Sequence, residues 1–145
     1  MLDLIIKNGK CYIDGELKDL DVAIKDKKIH KIGQISDVAS EILDAHGHTV
    51  LPGCIDTQTH FREPGSTDTE DLHSGSRAAI AGGITSVFEM PNTNPPTSNK
   101  KEFQRKLDLA KNRMYCNYAF YFGATAENAD DLASLKDLEG CCGIK

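Results

Sequence analysis

Gln58, His60 and Arg62 alternate along the stretch Asp56-Thr57-Gln58-Thr59-His60-Phe61-Arg62. In extended backbone alternate side chains share a face, so these three would line one side and Thr57, Thr59 and Phe61 the other if the chain stays extended through Arg62. A neutral imidazole is a good zinc ligand. A guanidinium two residues on can grip a carboxylate with two parallel hydrogen bonds. A metal that polarises a carbonyl beside an arginine that holds an acid implies a small anionic substrate. The competing reading is a structural or surface His/Arg pair. A second chemical stretch is Glu89-Met90-Pro91-Asn92-Thr93-Asn94-Pro95-Pro96. Its prolines fix the backbone and remove donors, and Asn92 offers both a donor and an acceptor from that platform. The competing reading here is a Pro-rich turn with Asn at a turn position.

Elements of two kinds must hold these residues. Residues 1–50 predict a small β domain of short strands and tight turns. Leu2-Asp3-Leu4-Ile5-Ile6-Lys7 is strand-like and ends at the turn dipeptide Asn8-Gly9. Cys11-Tyr12-Ile13 and Glu16-Leu17 flank Asp14-Gly15, a strong hairpin signal, and a second hairpin is expected around Asp26-Lys27. From Val50 the rhythm changes. Val50-Leu51-Pro52-Gly53-Cys54-Ile55 is an apolar run suited to a parallel strand covered on both faces. Thr67 and Glu70 suggest a capping box, Leu72, Ser76, Ala79 and Ile80 a helical stripe, and Gly82-Gly83 its stop. Further strands are expected at Ile84-Thr85-Ser86-Val87-Phe88, over residues 115–122 and from Cys141. A helix starting at Ser98 or Asn99 carries Phe103, Leu107 and Ala110, and another carries Leu132, Leu135 and Leu138. Strands recurring roughly every 25 to 35 residues with helices between them are βαβ units of a parallel sheet. Residues 51–145 thus predict three βα units and the start of a fourth strand. An eight-stranded barrel takes about 250 residues, so the chain is expected to be the front part of a longer protein, inactive by itself.

The net charge of −5 argues against a nucleic acid or an anionic membrane as partner. No apolar stretch is long enough to span a bilayer, and no signal peptide is evident, so a cytoplasmic location is expected. The five cysteines are odd in number and contain no Cys-x-x-Cys pair, which points to free thiols. His46-Gly47-His48 precedes the strand instead of ending it and reads as a solvated turn, while His30 and His73 read as surface or packing residues.

Taken together, Pro52-Gly53-Cys54-Ile55-Asp56, His60-Phe61-Arg62-Glu63-Pro64-Gly65 and Met90-Pro91-Asn92-Thr93-Asn94-Pro95-Pro96 resemble the dihydroorotases of the amidohydrolase superfamily. The likeness runs over essentially the whole chain. It implies an α/β fold, the N-terminal part of a (β/α)8 metal-dependent hydrolase barrel preceded by a small β-sandwich segment. It also implies a reversible, zinc-dependent cyclisation of N-carbamoyl-L-aspartate to L-dihydroorotate. By position, His60 resembles a zinc ligand, with His60, Arg62 and Asn92 at the substrate. Lys145 resembles a lysine carboxylated by carbon dioxide that bridges two zinc ions, a modification that replaces a cation beside a dication. The proton-transferring Asp and further His ligands are expected beyond Lys145.

One position departs from the family pattern. Where His-x-His is usual, this chain has Gln58-Thr59-His60, and an amide oxygen binds zinc more weakly than imidazole. The resemblance therefore leaves three outcomes: metals held with Gln58 among fewer ligands, a single zinc, or a non-catalytic scaffold partner of aspartate transcarbamoylase. Another cyclic amidohydrolase of the hydantoinase or allantoinase type is the further alternative. The expected partner is a small molecule, with a homo-oligomer or an aspartate transcarbamoylase association as the expected assembly.

Overall fold

The computed structural model describes residues 1–145, which divide into two compact units, Met1–Pro52 and Gly53–Lys145. In the first unit, strands β1 (Leu2–Lys7), β4 (Asp21–Lys25), β5 (Lys28–Gly33) and β6 (Ala39–Asp44) form a sheet in the order β5-β4-β1-β6. A smaller sheet orders β3 (Glu16–Asp19), β2 (Lys10–Ile13) and β7 (Thr49–Val50) as β3-β2-β7. Leu2, Ile5 and Ala23 of the larger sheet pack with Ile35 as the core of this unit.

Both expected hairpins form. Asp14 and Gly15 have φ 54° and 82°, Asp26 and Lys27 φ 52° and 61°, the left-handed pairs that match the twist of two-residue hairpins. Asn8-Gly9 does not fold β1 onto β2, because β1 pairs antiparallel with β4 and parallel with β6. His46 and His48 are exposed turn residues, with His48 Nδ1 3.0 Å from the His46 carbonyl oxygen.

The second unit is a four-stranded parallel sheet in the order β11-β10-β9-β8, made of β8 (Cys54–Thr59), β9 (Ile84–Glu89), β10 (Asn117–Phe122) and β11 (Cys141–Ile144). Helices α1 (Leu72–Ala81) and α2 (Lys100–Ala110) join the first three strands. The first of these strands opens later than expected, at Cys54. Val50 belongs instead to β7, paired with Cys11. The core gathers Phe61, Leu72, Val87, Phe103, Phe120 and Phe122.

Helix α1 is capped by Asp71 and Ser74 in a reciprocal box, not by Thr67 and Glu70. Asn99 caps α2 by accepting from the Glu102 N–H at 2.9 Å. The expected third helix is a 3-10 segment, Ala129–Leu135. Its leucines recur every three residues, the period of a 3-10 turn and not of an α-helix. No helix is long and apolar enough to cross a membrane.

Candidate active site

In a parallel sheet the loops after the strands' carboxyl ends collect functional groups. Here the ends of β8 and β9 are tied together. The Met90 N–H donates to the Thr59 carbonyl at 2.9 Å, and Thr59 Oγ1 donates to the Phe88 carbonyl at 3.2 Å. Beyond the strands, the Asn94 N–H donates to the Pro64 carbonyl at 3.0 Å, and Gly65 lies so close that a Cβ there would come within 2.7 Å of the Asn94 Cβ.

This clamp brings His60 and Asn92 together. His60 Nδ1 lies 2.9 Å from Asn92 Oδ1. A carbonyl-type oxygen carries no proton, so Nδ1 donates, and in the neutral imidazole the nitrogen left without a proton is Nε2. That is how a metal-binding imidazole is usually held, with its second nitrogen fixed by an oxygen acceptor.

The single extended face expected for Gln58, His60 and Arg62 is not present. Strand β8 ends at Thr59, and Arg62 has φ 61°, in the left-handed region that non-glycine residues rarely occupy. Its side chain is exposed, and its charge acts on Glu89. Gln58 is exposed, its N–H bonded to Asp56 Oδ1 at 2.9 Å. Lys145 follows β11, where its N–H donates to the Phe122 carbonyl at 2.9 Å and its carbonyl accepts from Ala124 at 2.7 Å. It therefore stands three strands from β8, about 14 Å at ordinary strand spacing. The structure thus joins His60 to Asn92, gives Gln58 no side-chain hydrogen bond to either, and sets Lys145 on the far strand of the sheet, and no three His, Cys, Asp or Glu side chains converge. Of these donors, the His60 nitrogen left free by Asn92 is the one whose chemistry suits a metal, and it would be one member of a larger set.

Two charge clusters, one partly and one fully buried, support these loops, and neither is evident from motif spacing. Glu63 accepts from both Arg113 guanidinium nitrogens, at 2.8 and 3.1 Å, and from the Leu72 N–H at the start of α1, at 2.9 Å. Deeper, Lys106 of α2 abuts the Glu89 carboxylate at the end of β9, with both side chains almost wholly buried. Burial pushes the Glu89 carboxyl up to about 7 against the opposing pull of the Lys106 charge, and burial also lowers the Lys106 ammonium. The available signal was Lys106 itself, a cation on the face that carries Phe103 and Ala110.

The model of the amidohydrolase family matches residues 49–140. The chain belongs to the amidohydrolase family. It is 40% identical over 144 residues to an allantoinase of Escherichia coli O1:K1 and 41% identical to one of Escherichia coli strain SMS-3-5, covering 99% of this chain and 32% of each relative. Among solved structures it is similar to the L-hydantoinase (dihydropyrimidinase) of Arthrobacter aurescens, with TM-score 0.90 and 31% identity over 99% of this chain and 32% of that one. A D-hydantoinase structure matches with TM-score 0.83 and 30% identity, over the same shares. The chain thus spans about a third of the length of these relatives. The mixed α/β fold is that of the N-terminal part of the hydantoinase structures. The family expected from the strand-end motifs is therefore the right one, at the level of cyclic amidohydrolases. The relatives named here are allantoinases and hydantoinases, a different branch from the expected dihydroorotases.

Proposed function

We propose that the full-length protein is a metal-dependent cyclic amidohydrolase of the allantoinase and hydantoinase type, acting on a small cyclic ureide at the carboxyl ends of β8 and β9. The observation that carries this reading is the His60–Asn92 pair, which fixes the imidazole with Nε2 bare at the mouth of the sheet. Zinc, when bound, supplies a Lewis acid for the ring carbonyl and lowers the pKa of water. His60 offers one nitrogen to it, and Lys145, carboxylated, would offer oxygens from the fourth strand. Asn92 holds the His60 ring in the ligating tautomer, and its amide N–H2 remains free to donate to a ring carbonyl. In ring opening the oxygen of water joins the amide carbon, the C–N bond breaks, and the nitrogen takes up a proton.

A second reading rests on Arg62. An exposed guanidinium next to His60, on backbone that disfavours any side chain, suits an acid-bearing substrate such as dihydroorotate. The test assays the full-length protein, zinc-loaded and chelator-treated, on allantoin, hydantoin and dihydroorotate. Turnover of at least one ring, lost in His60→Ala and restored by zinc after chelation of the parent protein, is expected. No turnover of any of the three by zinc-loaded protein refutes the assignment.

A further inference from the structure

Lys106 and Glu89 are a costly pair to keep. Their side chains are 0% and 1% exposed, and Lys106 Nζ sits 5.1 Å from the centre of the Phe120 ring. Apolar residues of similar volume usually replace such a buried pair with no loss of stability, so stability alone is a poor reason for it. What the pair touches is more informative. Lys106 Nζ donates to the Met90 carbonyl at 2.9 Å, while the N–H of the same residue donates to Thr59 at 2.9 Å. The Glu89 carboxylate, at the end of the strand that leads into Met90, lies against Lys106 and holds its ammonium in place. Thr59 directly precedes His60, and Met90 lies two residues before Asn92. Both arms of the His60–Asn92 contact therefore run back to Met90, which the buried ammonium holds by its carbonyl.

Resting on the reading of His60 as a metal ligand, we infer that Lys106 and Glu89 are a positioning pair that sets the His60 and Asn92 strand ends at ligating distance for a divalent cation. Neither side chain reaches the mouth of the sheet, so neither touches substrate. Their effect is on how well the imidazole is presented. Lys106 fixes the β9 arm through the Met90 carbonyl and, through the Met90 N–H bonded to Thr59, the β8 arm as well, while Glu89 holds the Lys106 ammonium in place.

The test uses the full-length protein with zinc as the probe, its affinity read by competition with a chromophoric chelator. The double variant Glu89→Gln/Lys106→Met removes both charges and leaves none unpaired. With its circular dichroism unchanged, it is expected to lose about tenfold to a hundredfold in zinc affinity. Its kcat at limiting zinc should fall with the metal content, while KM on whichever ring the parent opens changes little. Should the double variant not fold, Lys106→Arg keeps the charge but moves the donor away from Met90, and a smaller loss of zinc affinity is expected. Zinc affinity within about twofold of the parent in the folded variant overturns the positioning role while leaving the proposed function standing. Failure of both variants to fold assigns the pair to the fold alone and also overturns it. A parent protein that binds no zinc and opens no ring overturns the functional reading, and this inference with it.

Discussion

Arg62 combines an unfavourable backbone with an exposed side chain, and substitution separates the two. At φ 61° a residue with a Cβ carries roughly 1–2 kcal/mol of strain that glycine escapes. Part of that relief is offset by the greater freedom of glycine in the unfolded chain, about 0.5–1 kcal/mol. Arg62→Gly should therefore be roughly 0.5–1 kcal/mol more stable than both the parent and Arg62→Ala. Arg62→Ala keeps the strain and should unfold near the parent's urea midpoint, since the guanidinium it removes is exposed. Activity should follow the side chain and ignore the backbone. If Arg62 grips a substrate carboxylate, losing that charged contact costs about 3 kcal/mol, or two orders of magnitude in kcat/KM on dihydroorotate. On uncharged allantoin both variants should lose less than about tenfold. Urea unfolding of the two variants and kcat/KM on both substrates check this. Equal stability of the Ala and Gly variants would refute the strain argument, and equal losses on the two substrates would refute the carboxylate grip.

Two further perturbations test how the loops are supported. A Cβ on Gly75 would sit 2.4 Å from a ring carbon of buried Phe61, so Gly75→Ala should cost about 1–3 kcal/mol of overpacking despite the better helix propensity of alanine. An unchanged urea midpoint would show that the Phe61 ring can turn aside. Asp71→Ala should cost about 1 kcal/mol at neutral pH by uncapping α1. Its bond from the Ser74 N–H holds the Asp71 carboxyl below the ordinary range, so its stabilisation is complete above the unfolded value near 4 and is lost as pH falls through the lowered folded value. The gap in urea midpoint between parent and variant should close on acidification, and a gap that stays constant would refute the carboxylate's part in the cap.

Much of this architecture is written in local chemistry. Asp14-Gly15 and Asp26-Lys27 specify their hairpins because two-residue turns need left-handed backbone, which Asp and Gly tolerate. Asn99 and the Phe103, Leu107, Ala110 stripe similarly define α2. Where local signals compete, tertiary contacts decide. Thr67 and Glu70 have the spacing of a capping box, yet Glu63, held by Arg113, already binds the Leu72 N–H and sets the start of α1 one turn later. The leucines at 132, 135 and 138 predict a helix, and their period of three is that of the 3-10 turn that forms over Ala129–Leu135. At the site, the strand-end motifs pointed to the His60 and Asn92 positions. The left turn at Arg62 and the Glu89–Lys106 pair depend on packing between residues distant in sequence, which no single motif encodes.

The lock between the loops after β8 and β9 bears on how this site could change in evolution or in the laboratory. Gly65 rests against Asn94, and the Asn94 N–H is bonded to Pro64. A lengthened or transplanted first loop would lose its footing on the second, and the reverse holds equally. New ring specificities should therefore be reached by exchanging the two loops as one cassette from a single donor, whereas chimeras that mix a loop from one relative with its neighbour from another would start with a misfitted seam.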